Sequence, residues 1–297
     1  MYQPPPGSTA HPTTTLNTRP PAEIDLQRPT KRSGAGSRAP RSRLAAQVER
    51  VLNAALAGEP HVALNVTSSE LLGEPYRVGS VIVAALAQAG PGLTGQWRIT
   101  EPFRRTGLSD ELLNSLVSPN PLTRASAARL CGALRLTEAV SWIEDLVQDA
   151  NPQVHESAIR ALGLLGGRRA VEALMASADR IPTHRLAIAL AMAASDLDIE
   201  ALMRQPASEK AAVVTVLACG LRRDALRVPP LLGIAHDRRW PKAVRIAACK
   251  SLGMIGDLAA SDGLRTLVER EPDAEVKKAA LQAQNRLHHS VAEPRPE

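Results

Sequence analysis

Asp149-Ala150-Asn151-Pro152-Gln153-Val154-His155-Glu156-Ser157-Ala158-Ile159-Arg160-Ala161-Leu162-Gly163-Leu164-Leu165-Gly166 reads as one amphipathic helix with its ends marked. Val154, Ala158, Leu162 and Leu165 follow i, i+4, i+8 and i+11, which draws one apolar stripe along a helix. Pro152 suits the first turn, where its missing N–H leaves no helical hydrogen bond unmade. Gly166 stands where a glycine stops a helix, and Gly163, one turn earlier, lets a neighbouring helix approach. The phrase returns 90 residues on, where Val244-Arg245 leads into Ala248, Leu252 and Ile255, with Pro241 before it and Gly253 and Gly256 after. A third copy, Asn120-Pro121 followed by Arg124, Ala127, Cys131 and Leu134, begins 31 residues before Asn151. The period is 30 to 31 residues, so this is a repeat protein.

From Ser109 onward the pattern resolves into helix pairs: 109–117 with 122–135, 139–148 with 153–165, and 169–178 with 182–194. Three more follow: 197–204 with 207–220, 225–236 with 241–255, and 258–270 with 274–288. The expected fold is all-α, an α-solenoid of about six helix pairs over residues 109–290, with repeats burying a core between neighbours and presenting a long surface. Residues 44–108 are expected to be a divergent helical cap, a small separate domain being the alternative. Leu44–Leu56 and Val78–Ala89 read as helices, Val62–Val66 as a strand or a helix end, and Gly90–Phe103 as a loop.

The phrase Asp149-x-Asn151-Pro152-x-Val154-x-x-x-Ala158-x-x-Ala161-Leu162-Gly163-x-Leu165-Gly166 resembles the short HEAT repeat of the phycobilisome-lyase type. Val228-Pro229-Pro230-Leu231-Leu232 before Asp237 resembles it too. The resemblance runs from about 109 to 288 and is strongest in the second and fifth pairs. Periods of 34 and 33, for tetratricopeptide and ankyrin repeats, fit less well. It implies a superhelix whose Val-Arg helices line an inner, concave face, and that face as the binding surface.

Composition agrees with a helical body: 44% of the 297 residues are hydrophobic and only 2% aromatic, so the apolar mass is Ala, Leu and Val. Residues 1–43 hold seven cations against Glu23 and Asp25, a net of +5, while the whole chain is +6. The basic character therefore belongs to a Pro- and Ser-rich leader, which reads as disordered, and the body is nearly neutral. Residues 291–297 are read as a disordered C-terminus. The leader carries no apolar run of the secretory kind and no segment is long enough to span a bilayer, so a soluble, cytoplasmic protein is expected. Cys131, Cys219 and Cys249 sit in apolar helical stretches without a CxxC pair, and are read as small core residues rather than disulfide or zinc cysteines.

Two clusters carry candidate chemistry. His155-Glu156 falls where deoxyhypusine hydroxylase, a di-iron enzyme of HEAT-like build, places metal-binding His-Glu pairs. The sister positions are Arg124-Ala125, Arg245-Ile246 and Lys277-Lys278, whose cations oppose a metal, so no metal or other cofactor is expected. The second cluster, Arg238, Arg239, Lys242 and Arg245 around Trp240, could meet phosphates. An acid or hydroxyl six residues earlier, Ser118 before Arg124, Asp149 before His155 and Glu271 before Lys277, reads instead as a ladder of contacts between repeats. Few aromatics leave no stacking platform for single strands, and nucleic acid is disfavoured. The expected function is a non-catalytic protein-interaction scaffold holding a protein partner, with Arg124, His155, Glu156, Arg238, Arg239, Trp240, Lys242, Arg245 and Lys277 as partner-binding candidates and the leader as a tether for an anionic partner. The alternatives are a lyase or oxidoreductase-like member of the same superfamily and a nucleic-acid binder using the leader and the cluster near Trp240.

Overall fold

The computed structural model describes residues 42–59, 63–90 and 92–292. The leader expected over 1–43 lies outside them except for Ser42 and Arg43. Among the described residues the chain is all helical, an α-solenoid of stacked pairs without a strand, and no helix is long and apolar enough to cross a membrane. Its contacts gather into two compact units that divide between Arg180 and Ile181.

The first unit contains α1 (Arg43–Ala57), α2 (Ser68–Gly73), α3 (Pro75–Ala89), α4 (Leu93–Arg105) and α5 (Leu108–Ser115). It continues with α6 (Pro121–Ala133), α7 (Val140–Leu146), α8 (Pro152–Leu165) and α9 (Gly167–Ala176). One layer is a row in which α1 packs on α3, α3 on α6 and α6 on α8. Helices α6 and α8 start where asparagine side chains meet otherwise unpaired amides. The Asn120 Oδ1 accepts from Leu122 N at 2.9 Å, and the Asn151 Oδ1 accepts from Gln153 N at 2.9 Å. Pro121 and Pro152 occupy the first turns. Val154, Ala158 and Leu162 are fully buried.

The second unit contains α10 (Thr183–Ala193), α11 (Asp196–Arg204), α12 (Glu209–Arg222), α13 (Val228–His236), α14 (Lys242–Ile255), α15 (Ser261–Arg270) and α16 (Ala274–Ala292). Here α10, α12, α14 and α16 stack in sequence, each against the next, while α11, α13 and α15 cover their other side. Val244, Ala248 and Leu252 repeat the buried stripe of α8. Gly256 ends α14 at φ 74°, in the left-handed region that glycine adopts without strain. The last helix runs to Ala292, two residues into the expected tail; residues 293–297 lie outside the described ones.

Two expectations are corrected. Residues 93–105 form α4 and not a loop. Gly92, Gly95 and Pro102 conceal the helix, yet Ile99 and Phe103, one turn apart, are fully buried and hold it against α1 and α3. Residues 63–66 form neither strand nor helix.

Close approach between second helices rests on small residues. A Cβ on Gly220 would stand 2.7 Å from the Ser251 Cα, and the Ser251 hydroxyl donates to the Val216 carbonyl at 2.8 Å. Gly220→Ala is therefore expected to destabilise by about 1–3 kcal/mol, because the backbone of α14 would have to move. Gly233→Ala on α13, where a Cβ meets nothing within 4 Å, is expected to stabilise by up to about 1 kcal/mol through helix propensity. Urea denaturation of the two variants checks the opposite signs.

Candidate functional site

Arg124 and Arg245, at the starts of α6 and α14, are held in contacts between repeats. In the first unit, Arg124 Nε donates to the Asp149 carboxylate at 2.8 Å, and Nη1 donates to the Ser118 carbonyl at 2.8 Å. Asp149 also accepts from the Asn151 amide at 2.8 Å, so it joins Arg124 to the start of the next second helix. In the second unit Arg245 repeats this arrangement. Its Nε donates to the Ala235 carbonyl at 3.0 Å, and its guanidinium forms a forked pair with Glu271, which accepts from the Asp273 amide at 3.1 Å. The ladder thus runs from the cation of one repeat to the acid of the next, over 25 and 26 residues.

His155 holds the corresponding place on α8. Its Nδ1 lies 2.6 Å from the Val147 carbonyl, which only accepts, so Nδ1 carries the proton. Glu156 is half-buried beside it. Among the described residues no group of three or more His, Cys, Asp or Glu side chains comes together in a way that could hold a metal ion.

The cluster around Trp240 differs from its sequence reading. Trp240 is 9% exposed and Arg245 5% exposed, so both are buried and are withdrawn as partner contacts. Charge in sequence reads as exposed; here the Glu271 carboxylate compensates the buried guanidinium. Arg239 pairs with Asp237 at 2.9 Å, and Lys242 with Glu275 at 2.9 Å. The hydrogen bond to Glu275, then the charges of Glu275 and Asp273, raise the Lys242 ammonium above its usual value. With these acids in place the cluster is no cationic groove. Arg238 and Lys277 are exposed.

Sequence reasoning missed a different surface. On α10 the residues between Leu186 and Ala193 are buried except Ile188 and Met192, and on α12 those between Ala211 and Gly220 are buried except Val213 and Leu217. These four are half-buried, and each pair is spaced i, i+4, so the open stripe of both helices is itself apolar. Ile246 and Met254 of α14 continue it, with exposed Lys250 between them. A polar open face normally balances a buried one; beyond their first turns α10 and α12 present an apolar one. The signal in the sequence was the register: counted from Val244 of the repeated phrase, Ile246 corresponds to Val213 and Ile188, and Lys250 to Leu217 and Met192.

The HEAT-repeat family model matches residues 109–195 and 198–284, more than half of the chain. No curated protein matches the chain. Among solved structures, the chain is similar to human deoxyhypusine hydroxylase in complex with glycerol, at 16% identity over 82% of this chain and 98% of that one, with a TM-score of 0.33. It is similar to the complex of CpcE and CpcF of phycocyanin lyase from Nostoc sp. PCC7120, at 17% identity over 87% and 100%, with a TM-score of 0.32. A designed armadillo repeat protein aligns at 15% identity over 74% and 98%, with a TM-score of 0.30. With its family model spanning both units and its helix pairs stacked repeat on repeat, the chain belongs to the HEAT-repeat family.

Proposed function

We propose that the protein is a non-catalytic, cytoplasmic interaction adaptor that holds a protein partner on the open face of its second helices, chiefly α10, α12 and α14. The observation that carries this reading is the apolar open stripe of Ile188, Met192, Val213 and Leu217. A helix that is hydrophobic all round is ordinarily covered on all sides, and a partner surface supplies the missing cover. Arg124, His155, Arg245 and Trp240 serve the scaffold, whereas Arg238 and Lys277 remain as polar contacts. The pairing of Arg239 and Lys242 with acids speaks against a phosphate-binding role for that cluster.

The test is co-purification from native lysate, comparing the wild type with Val213→Glu and Leu217→Glu. A carboxylate placed in an apolar contact is left without a partner, so capture is expected to fall at least about tenfold while helical content is unchanged. Undiminished capture by folded variants would refute this face as the binding surface.

A further inference from the structure

The rim of the apolar stripe on α10, α12 and α14 carries more cations than acids. Arg185 precedes Ile188 by three residues and Lys210 precedes Val213 by three, so a cation stands one turn before each apolar pair. On the α14 and α16 side, Lys250 and Lys278 occupy the registers of Leu217 and Val213, and both are exposed. Arg286 of α16 reaches over α14, its Cδ 3.4 Å from where a Cβ on Gly253 would stand. Two carboxylates stand at this rim, Glu275 in the register of Arg185 and Lys210 and Glu209 one residue before it. Glu275 is held by Lys242 at 2.9 Å, and Glu209 opens α12 beside Lys210. No carboxylate stands in the rows of Ile188 and Met192 themselves across α10, α12, α14 and α16.

Spacing narrows the occupant further. Packed helices stand about 8–10 Å apart, so successive apolar rows are separated by about that distance. A helix laid across them returns the same face every seven residues, about 10.5 Å along its axis. Three rows, on α10, α12 and α14, thus match an apolar face repeated over about 15 residues.

We propose that this face of the second unit binds an amphipathic helix of a partner protein whose apolar side meets Ile188, Met192, Val213 and Leu217 and whose flanks are acidic. The proposal rests on the adaptor reading above and adds the chemistry of the partner. The apolar rows supply the buried contact, and the cationic rim sets orientation and selects against basic helices by like-charge repulsion.

The full-length protein is titrated by fluorescence anisotropy with a labelled 18-residue helical peptide carrying Leu on one face and Glu on its flanks. A second peptide has the same Leu face and Lys flanks. The acidic peptide is expected to bind at least about tenfold tighter at low salt, with the difference narrowing as salt screens the rim. Leu217→Glu should weaken binding of the acidic peptide. Lys250→Glu combined with Lys278→Glu changes two exposed side chains, keeps the fold, and should reverse the preference. Equal binding of both peptides, lost in Leu217→Glu, overturns the acidic-partner inference and leaves the adaptor reading standing. Binding of neither peptide also overturns it, and the lysate comparison then judges the adaptor reading separately. A dimer seen by sedimentation and abolished by Leu217→Glu would assign the face to a second copy and overturn the inference.

Discussion

Replacing Glu271 with Ala is expected to destabilise the second unit by about 3–5 kcal/mol, the usual cost of leaving one partner of a buried ion pair without the other. Arg245 and Glu271 are 5% and 7% exposed, and the guanidinium has the Ala235 carbonyl as its other acceptor. The variant strands that cation and also frees the Asp273 amide that orders the turn before α16. By contrast, Glu200→Ala removes a pair with Arg204 at 2.7 Å whose side chains are 50% and 69% exposed, and should cost under about 1 kcal/mol. Replacing both buried partners by Met and Leu should recover most of the loss.

Acid exposes the same pair. Burial pushes the Glu271 carboxyl up, but the hydrogen bonds from Arg245 and the Asp273 amide, with the charges of Arg245 and Arg238, outweigh it and hold the group below the usual carboxylate value. A depressed folded value means that the pair stabilises fully above the unfolded glutamate pKa of about 4.3, and that this share is lost as pH falls through the lower folded value. Urea midpoints measured at neutral pH and at progressively lower pH should converge between the wild type and Glu271→Ala. A constant gap would show that the ionised pair is not the source of the effect.

Leu162→Ala in the first unit is expected to cost about 2–5 kcal/mol, the loss of buried methyl groups plus the cavity left between α8 and α6. Leu162 is fully buried, and its sister Leu252 is fully buried in the second unit. Against a typical domain stability of about 5–15 kcal/mol this is a large fraction, so circular dichroism should show a clearly earlier urea transition. A change under about half a kcal/mol would mean that the stripe from Val154 to Leu165 does not face the core.

The repeated phrase made most of the fold legible. A stripe at i, i+4, i+8 and i+11 fixes which side of α8 and α14 is buried, and the prolines and glycines mark their ends. Helix α4 was hidden because Gly92, Gly95 and Pro102 each argue locally against a helix, while Ile99 and Phe103 reveal one only when α1 and α3 cover them. The ladder was half legible: an acid or hydroxyl six residues before Arg124, His155 and Lys277 is visible, but the partner of Arg245 is 26 residues away and belongs to the next repeat. The open stripe on α10 and α12 escaped reading for a physical reason. Ile188, Met192, Val213 and Leu217 have the same chemistry as the core beside them, and only packing tells a covered leucine from an open one.

The three cysteines give the protein internal clocks. Cys131, Cys219 and Cys249 are fully buried, and burial pushes each thiol up to about 12, so near neutral pH almost no thiolate is presented to a disulfide reagent while the helices stay closed. Modification must wait for an opening event, and its rate counts such events. Cys131 lies in the first unit, Cys219 and Cys249 in the second. Without any engineered label, the order in which these thiols react reports which part of the repeat array opens first and how far the opening spreads.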